Sequence, residues 1–209
     1  MNETEIREIV TKVLKQMTVS ENSIPIEASA RHVHLTKEAV EFLFGKGAVL
    51  TKKRDLSQPG EFLSEQRLKL VTSKGEISNV AVLGPERKAV QVELSVTDCR
   101  TLGIKAPINL SGNLNGAGNV YLFSENAVYN AENSVIVAQN HIHMTPKDAE
   151  NFGVKDGQSV KVSVNTERPV TFDNVIIRVN PNFSLAMHID FDEANACCLG
   201  KDTTGRLSL

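Results

Sequence analysis

The chain has no tryptophan and only two tyrosines, and these totals exclude nothing by themselves. Other shortages exclude more. No apolar run is long enough to cross a bilayer, so no membrane span is expected. Neither sign of charge dominates: 23 Lys and Arg stand against 25 Asp and Glu, giving a net charge of −2. Such a balance offers no electrostatic case for nucleic acid or for a membrane surface. Cysteine occurs three times, as Cys99, Cys197 and Cys198, with no C-x-x-C pair. An odd count without that spacing argues against a disulfide framework and for small buried thiols in a reducing cytoplasm. The opening Met1-Asn2-Glu3-Thr4-Glu5 lacks a basic or apolar leader, so a cytoplasmic protein is expected.

What remains is ordinary globular composition, 41% hydrophobic and 23% charged, over 209 residues. Ile6, Ile9, Val10, Val13, Leu14 and Met17 recur at helical spacing and predict an amphipathic helix within residues 2–17. A polar linker follows, from Thr18 to Ser23. From there the pattern is that of strands. Ile24, Ile26, Ala28, Ala30, His32 and His34 share one parity and would share one face of an extended segment. Further strand-like runs are Arg67 to Val71, Ile77 to Leu83, Val90 to Val96, Val135 to Ala138, Val160 to Val164, Val170 to Val179 and Leu185 to Ile189. The clearest helix signal is Thr145-Pro146 with Asp148, stopping at Gly153.

The chain also repeats itself. Arg31-His32-Val33-His34-Leu35-Thr36 returns as Asn140-His141-Ile142-His143-Met144-Thr145. Both are followed by a short helix-like stretch ending at glycine, Gly45 or Gly153. Asn79-Val80-Ala81-Val82 returns as Asn174-Val175-Ile176-Ile177, and Val92-Glu93-Leu94 falls opposite Met187-His188-Ile189.

All five histidines belong to this repeat. An H-x-H on a strand puts two imidazoles on one face, where both bind one metal or each binds one of two neighbours. With Glu93 and His188 as third members, His32, His34, Glu93, His141, His143 and His188 offer three ligands to each of two ions. Three ligands with open positions is the catalytic rather than the structural pattern. Imidazole-rich ligation favours zinc. Arg87, in the turn before Glu93, has the fork to hold a phosphate or carboxylate. Ser111 and Gly112 open a glycine-rich segment whose backbone N–H groups suit an anion, although a plain flexible loop is its default reading.

Ser29 to Leu35, Leu56 to Gly60, Val82 to Pro85, Thr97 to Gly103, His141 to Pro146 and Met187 to Asp190 resemble, in order, segments of the PduL-type phosphate propanoyltransferases. The resemblance spans Ile24 to Ala196. It implies a mainly β fold with short helices: two similar β-barrel domains from an internal repeat, behind the N-terminal amphipathic helix. The domains would be residues 23–31 with 139–209, and residues 32–138, with 1–22 apart. It implies a phosphotransacylase that interconverts acyl-CoA plus phosphate with acyl phosphate plus CoA, the acyl group being propionyl or acetyl. Two zinc ions would be held by the six residues above, with Arg87 as the catalytic, phosphate-binding residue and Ser111 and Gly112 beside the substrate. A homo-oligomer is expected, and residues 2–17 resemble the helices that pack such enzymes with shell or cargo proteins in bacterial microcompartments. Two positions depart from the family pattern, Asn140 before the second H-x-H and Leu110 before Ser111. A metal-dependent hydrolase and a metal-stabilised β module without enzymatic activity are the rival readings. The first needs a (β/α)₈ barrel of about 250 residues.

Overall fold

The computed structural model describes residues 23–209, so the predicted N-terminal helix lies outside the described residues. Two closed six-stranded β-barrels make up the described chain. One, here the split barrel, takes β1 (Ser23–Ser29) from the start and β10 (His141–Met144), β11 (Ser159–Val164), β12 (Val170–Val179), β13 (Ala186–Asp190) and β14 (Thr204–Ser208) from the end. They close in the order β1-β13-β10-β12-β11-β14. The middle barrel uses β2 (His32–His34), β4 (Phe62–Val71), β5 (Glu76–Gly84), β6 (Gln91–Leu94), β8 (Gly118–Phe123) and β9 (Val128–Ala138). Its ring closes because β8 pairs with both β4 and β9. Two short strands, β3 (Lys52–Asp55) and β7 (Ile108–Asn109), extend it from β4 and β9.

The repeat is present strand for strand. In the middle barrel β2 runs parallel to β5 and antiparallel to β6, with His32 opposite Glu93. In the split barrel β10 runs parallel to β12 and antiparallel to β13, with His141 opposite His188. Asn79 and Asn174 adopt the same left-handed backbone, φ 59° and 58°. Asparagine tolerates that region because its short amide bonds locally.

Four short helices follow the same logic. Thr36 caps α1 (Lys37–Phe44) and Thr145 caps α3 (Pro146–Phe152), each hydroxyl accepting from a backbone N–H of the first turn. Reciprocal capping boxes start α2 (Val96–Leu102), through Ser95 and Asp98, and α4 (Phe191–Ala196), through Asp190 and Glu193. The helix predicted from Thr145 to Gly153 is found between those two caps. The run Val90 to Val96 is strand only to Leu94, since the Ser95 box turns the chain into a helix.

Each barrel has its own core. Val33, Leu35, Val82 and Val92 help fill the middle one, and Ile24, Ile26, Ile142 and Met187 the split one. This division breaks the single extended segment expected from Ile24 to His34. The chain leaves the split barrel at Ala30-Arg31, and β1 and β2 pair with different sheets. The shared parity therefore spans two surfaces: Ile24 and Ile26 enter a core, whereas His32 and His34 line the space between barrels. Of the thiols expected to be buried, Cys99 and Cys197 are, but Cys198 is exposed beyond the end of α4.

Side chains tie the barrels together. The Gln58 amide donates to the Ser184 carbonyl (3.0 Å) and accepts from its N–H (3.1 Å). Ser57 donates to Glu27, and the Thr97 N–H donates to Asp192 (2.8 Å). Arg31, at the crossover, pairs with Asp98 at 3.1 Å. The repeat gives the matching contact another chemistry, for Asn140 donates to Glu193 at 2.7 Å. Asn140 thus makes with an amide the contact that Arg31 makes with a guanidinium in the first copy.

Candidate active site

A cavity of about 1010 Å³ lies between the barrels, and every histidine of the chain lines it. On the middle-barrel side the side chains of His32, His34 and Glu93 converge. One ligand atom from each lies within 4.8 Å of the others. His32 Nε2 is 3.2 Å from His34 Nε2 and 3.5 Å from Glu93 Oε2. The Ala30 carbonyl, 2.8 Å from His32 Nδ1, fixes the ring with its proton on that nitrogen and the Nε2 lone pair directed inward. Two imidazole nitrogens this close need a proton or a cation between them.

Glu93 is held from behind. Its Oε1 accepts from Gln91 Nε2 (2.6 Å) and Ser111 Oγ (2.7 Å), leaving Oε2 to face His32. Burial alone would raise its pKa, yet the imidazoles and the Ser111 hydroxyl hold it well below the carboxylate range. Burial likewise opposes protonation of His32, but Glu93 outweighs it and the net shift is upward. His34 moves the other way, far below its usual value, through burial and the charges of His32 and Arg87.

The split-barrel side repeats the arrangement with three imidazoles. Ring centroids of His141, His143 and His188 lie 4.6–5.4 Å apart. The Gln139 carbonyl, 2.7 Å from His141 Nδ1, plays the part that Ala30 plays for His32. Nδ1 of His143, like that of His34, is buried without a hydrogen-bond partner. The correspondence extends to individual ring atoms. Burial lowers His141 and His188 to about 4 and His143 to about 2, so all three present neutral lone pairs at pH 7. The five most buried of these six side chains are 2–9% exposed; His32, His34 and Glu93 converge closely enough to share one divalent cation, and His141, His143 and His188 repeat that set across the cavity.

Arg87 stands at the rim. Its N–H donates to the Leu35 carbonyl (2.8 Å), and its guanidinium donates to Ser111 Oγ and Glu61 Oε1, each at 3.0 Å. Ser111 therefore joins Arg87 to Glu93 through one hydroxyl. The Gly112 N–H donates to Gln91 Oε1 at 2.8 Å, so both loop residues meet the site through protein partners. Cys99, Cys197 and Cys198 all lie outside the cavity, and burial pushes Cys99 up to about 11.

A sequence profile described as phosphate propanoyltransferase matches residues 25–200. The chain belongs to that family. It is 48% identical over 209 residues to the phosphate propanoyltransferase of Leptotrichia buccalis, covering 99% of each chain. With that of Clostridioides difficile it shares 48% over 202 residues, covering 97% of this chain and 94% of the relative. With that of Enterococcus faecalis the figure is 47% over 201 residues, covering 96% and 95%. Membership makes the chain an acyltransferase. It also removes the β module without enzymatic activity, and two closed β-barrels are not the (β/α)₈ barrel a hydrolase of the rival kind requires.

Sequence reasoning about this phosphate propanoyltransferase relative missed two cavity residues, Gln58 and Arg178, and Gln91, which holds Glu93 from behind. Gln91 carried a usable signal, since it lies two residues before Glu93 and a strand returns to the same face every second residue. Gln58 bridges to the other barrel, its Nε2 3.4 Å from His188 Nε2, which no local pattern reveals. Arg178 sits in an apolar strand run, where a charge is itself a signal.

Proposed function

We propose that the chain moves a short acyl group, propionyl or acetyl, between coenzyme A and phosphate at a site built for two divalent metal ions, most readily zinc. His32, His34 and Glu93 would hold one ion, and His141, His143 and His188 the other. The observation that carries the reading is the His32, His34 and Glu93 donor set facing, across one cavity, its repeat counterpart of His141, His143 and His188, with Arg87 at the edge. Bound there, the ions would supply Lewis acidity and neutralise charge on phosphoryl and carbonyl oxygens.

The remaining work falls to the chain. Arg87 has five N–H donors, and two engage Ser111 and Glu61, so the others are free for phosphate oxygens. Holding phosphate against the thioester turns a bimolecular encounter into an intramolecular one. A phosphate oxygen attacks the thioester carbonyl, the new C–O bond forms, and the C–S bond breaks to release CoA. Glu93, kept ionised by Gln91, Ser111 and His32, contributes charge rather than a proton. The three cysteines lie outside the cavity and take no part in this reading.

Residues 23–31 with 139–209, and 32–138, are taken as the two domains. Homo-oligomerisation, a cytoplasmic or microcompartment setting, and packing through residues 2–17 belong to the same proposal. The test is CoA release from propanoyl-CoA with and without phosphate, alongside elemental analysis of protein purified without chelator. Phosphate-dependent release and about two divalent ions per chain are expected. Release that ignores phosphate would overturn acyl transfer, and metal-free active protein would overturn the dinuclear site.

A further inference from the structure

Arg178 faces the cavity from β12, directly across from His143 in the strand register. At the matching place in the middle barrel, across from His34, stands Leu83. The repeat, kept down to single ring nitrogens nearby, is broken here by a guanidinium. Its surroundings are few. Nη1 lies 3.4 Å from His143 Nε2, and the guanidinium carbon lies 5.7 Å from the Phe183 ring centroid. Among the described residues it forms no ion pair with a carboxylate, unlike Arg87, which holds Glu61.

A half-buried cation without a counter-ion is costly unless something of opposite charge joins it. Guanidinium is also the weakly hydrated cation suited to forked recognition of phosphate oxygens. Arg87 and Arg178 line the same cavity from the middle and the split barrel, so an anion lying between the two three-donor sets meets a guanidinium from each. The proposal rests on the acyl-transfer reading above. We propose that Arg178 is a second phosphate-holding residue, gripping the phosphoryl oxygens of phosphate or acyl phosphate from the split barrel while Arg87 grips them from the middle barrel.

The test uses the metal-loaded, full-length protein and the variants Arg178→Gln, which keeps bulk, and Arg178→Lys, which keeps charge. With propanoyl-CoA saturating, the KM for phosphate should rise about 10- to 100-fold in Arg178→Gln, the worth of a charge-assisted hydrogen bond. Arg178→Lys should recover part of that loss. The KM for propanoyl-CoA and the metal content should stay near wild type. As a readout free of turnover, inorganic phosphate should raise the melting temperature of wild type, and Arg178→Gln should need about tenfold more phosphate for the same rise. An unchanged phosphate KM and thermal response in Arg178→Gln would overturn the proposal. So would a loss confined to propanoyl-CoA, which would assign Arg178 to the CoA phosphates. The thermal response separates the two readings: if wild type releases CoA without phosphate, acyl transfer fails, while a phosphate response that depends on Arg178 still stands.

Discussion

The two faces of the cavity are copies that have diverged in charge. Each is carried on equivalent strands of its own barrel, with an H-x-H opposite a third donor and a carbonyl fixing the first ring. The middle-barrel face adds a carboxylate, tied by Gln91 and Ser111 to Arg87. The split-barrel face has an imidazole there and a guanidinium beside it. Duplication supplied the geometry, and a few substitutions on shared strand positions set one face against the other electrostatically.

The comparison is broken most severely at the third donors. Glu93→Gln and His188→Ala should each lower acyl transfer by about a thousandfold, comparable to removing a main electrostatic group from an active site. The double variant should be little worse, because residues acting as one unit are not additive. Elemental analysis of the three proteins sharpens the contrast: each single variant should lose mainly one ion. Full occupancy in Glu93→Gln would show that the two faces do not share the work.

Arg87→Ala should cost about a hundredfold in phosphate-dependent CoA release while both ions stay bound. Arg87→Lys should recover only part, since a point charge lacks the fork. Wild-type rates in the alanine variant would separate the rim from the chemistry.

Ser111→Ala touches only the middle-barrel face. It removes one donor from Glu93 and one acceptor from Arg87, so phosphate-dependent CoA release should fall about tenfold with both ions still bound. Loss of an ion in Ser111→Ala would show that the hydroxyl holds Glu93 in place for the metal, and an unchanged rate would take it out of the site.

A last contrast concerns stability in chelator-treated protein. His34, His141, His143 and His188 have folded pKa values below 6.5, so beneath that pH the unfolded chain takes up protons that the folded one refuses. Stability should therefore fall as pH drops from 6.5 towards 4, by at most about 1.4 kcal/mol per pH unit for each proton. His32 works oppositely: its raised value adds stability that is present below 6.5 and lost as pH rises through its folded pKa. Denaturant unfolding at several pH values should show a shallower slope below pH 6.5 in His143→Asn, whereas His32→Asn should lessen the loss of stability above pH 6.5. Equal slopes would contradict the difference between the faces.

Much of this was legible in the sequence, for reasons that differ by residue. H-x-H is visible because a strand returns to the same face every second residue, and α3 because Thr145, Pro146, Asp148 and Gly153 mark its ends chemically. The opposition of Glu93 and His188 in the two copies follows from the repeat, which preserves register. Strand β3 escaped notice because all four of its residues are exposed and polar. The break between β1 and β2 escaped because parity reports which residues share a side, not which sheet they join. Arg178 left a signal as a charge in an apolar run, but its place beside His143 needed the fold. Gln58 left none, since its partners come from across the cavity.

The pairing of β1 with β13 and β14 also orders events in time. A ribosome delivers β1 before any other strand described here, yet the strands that flank it are among the last to emerge. The middle barrel has all six of its strands once Ala138 has been made. The split barrel must wait for β14, and closing so long a loop is entropically slow. During that interval β1 is an unpaired edge, and nascent chains paused between residues 140 and 185 should be the ones most open to proteases and to β-strand partners from other molecules.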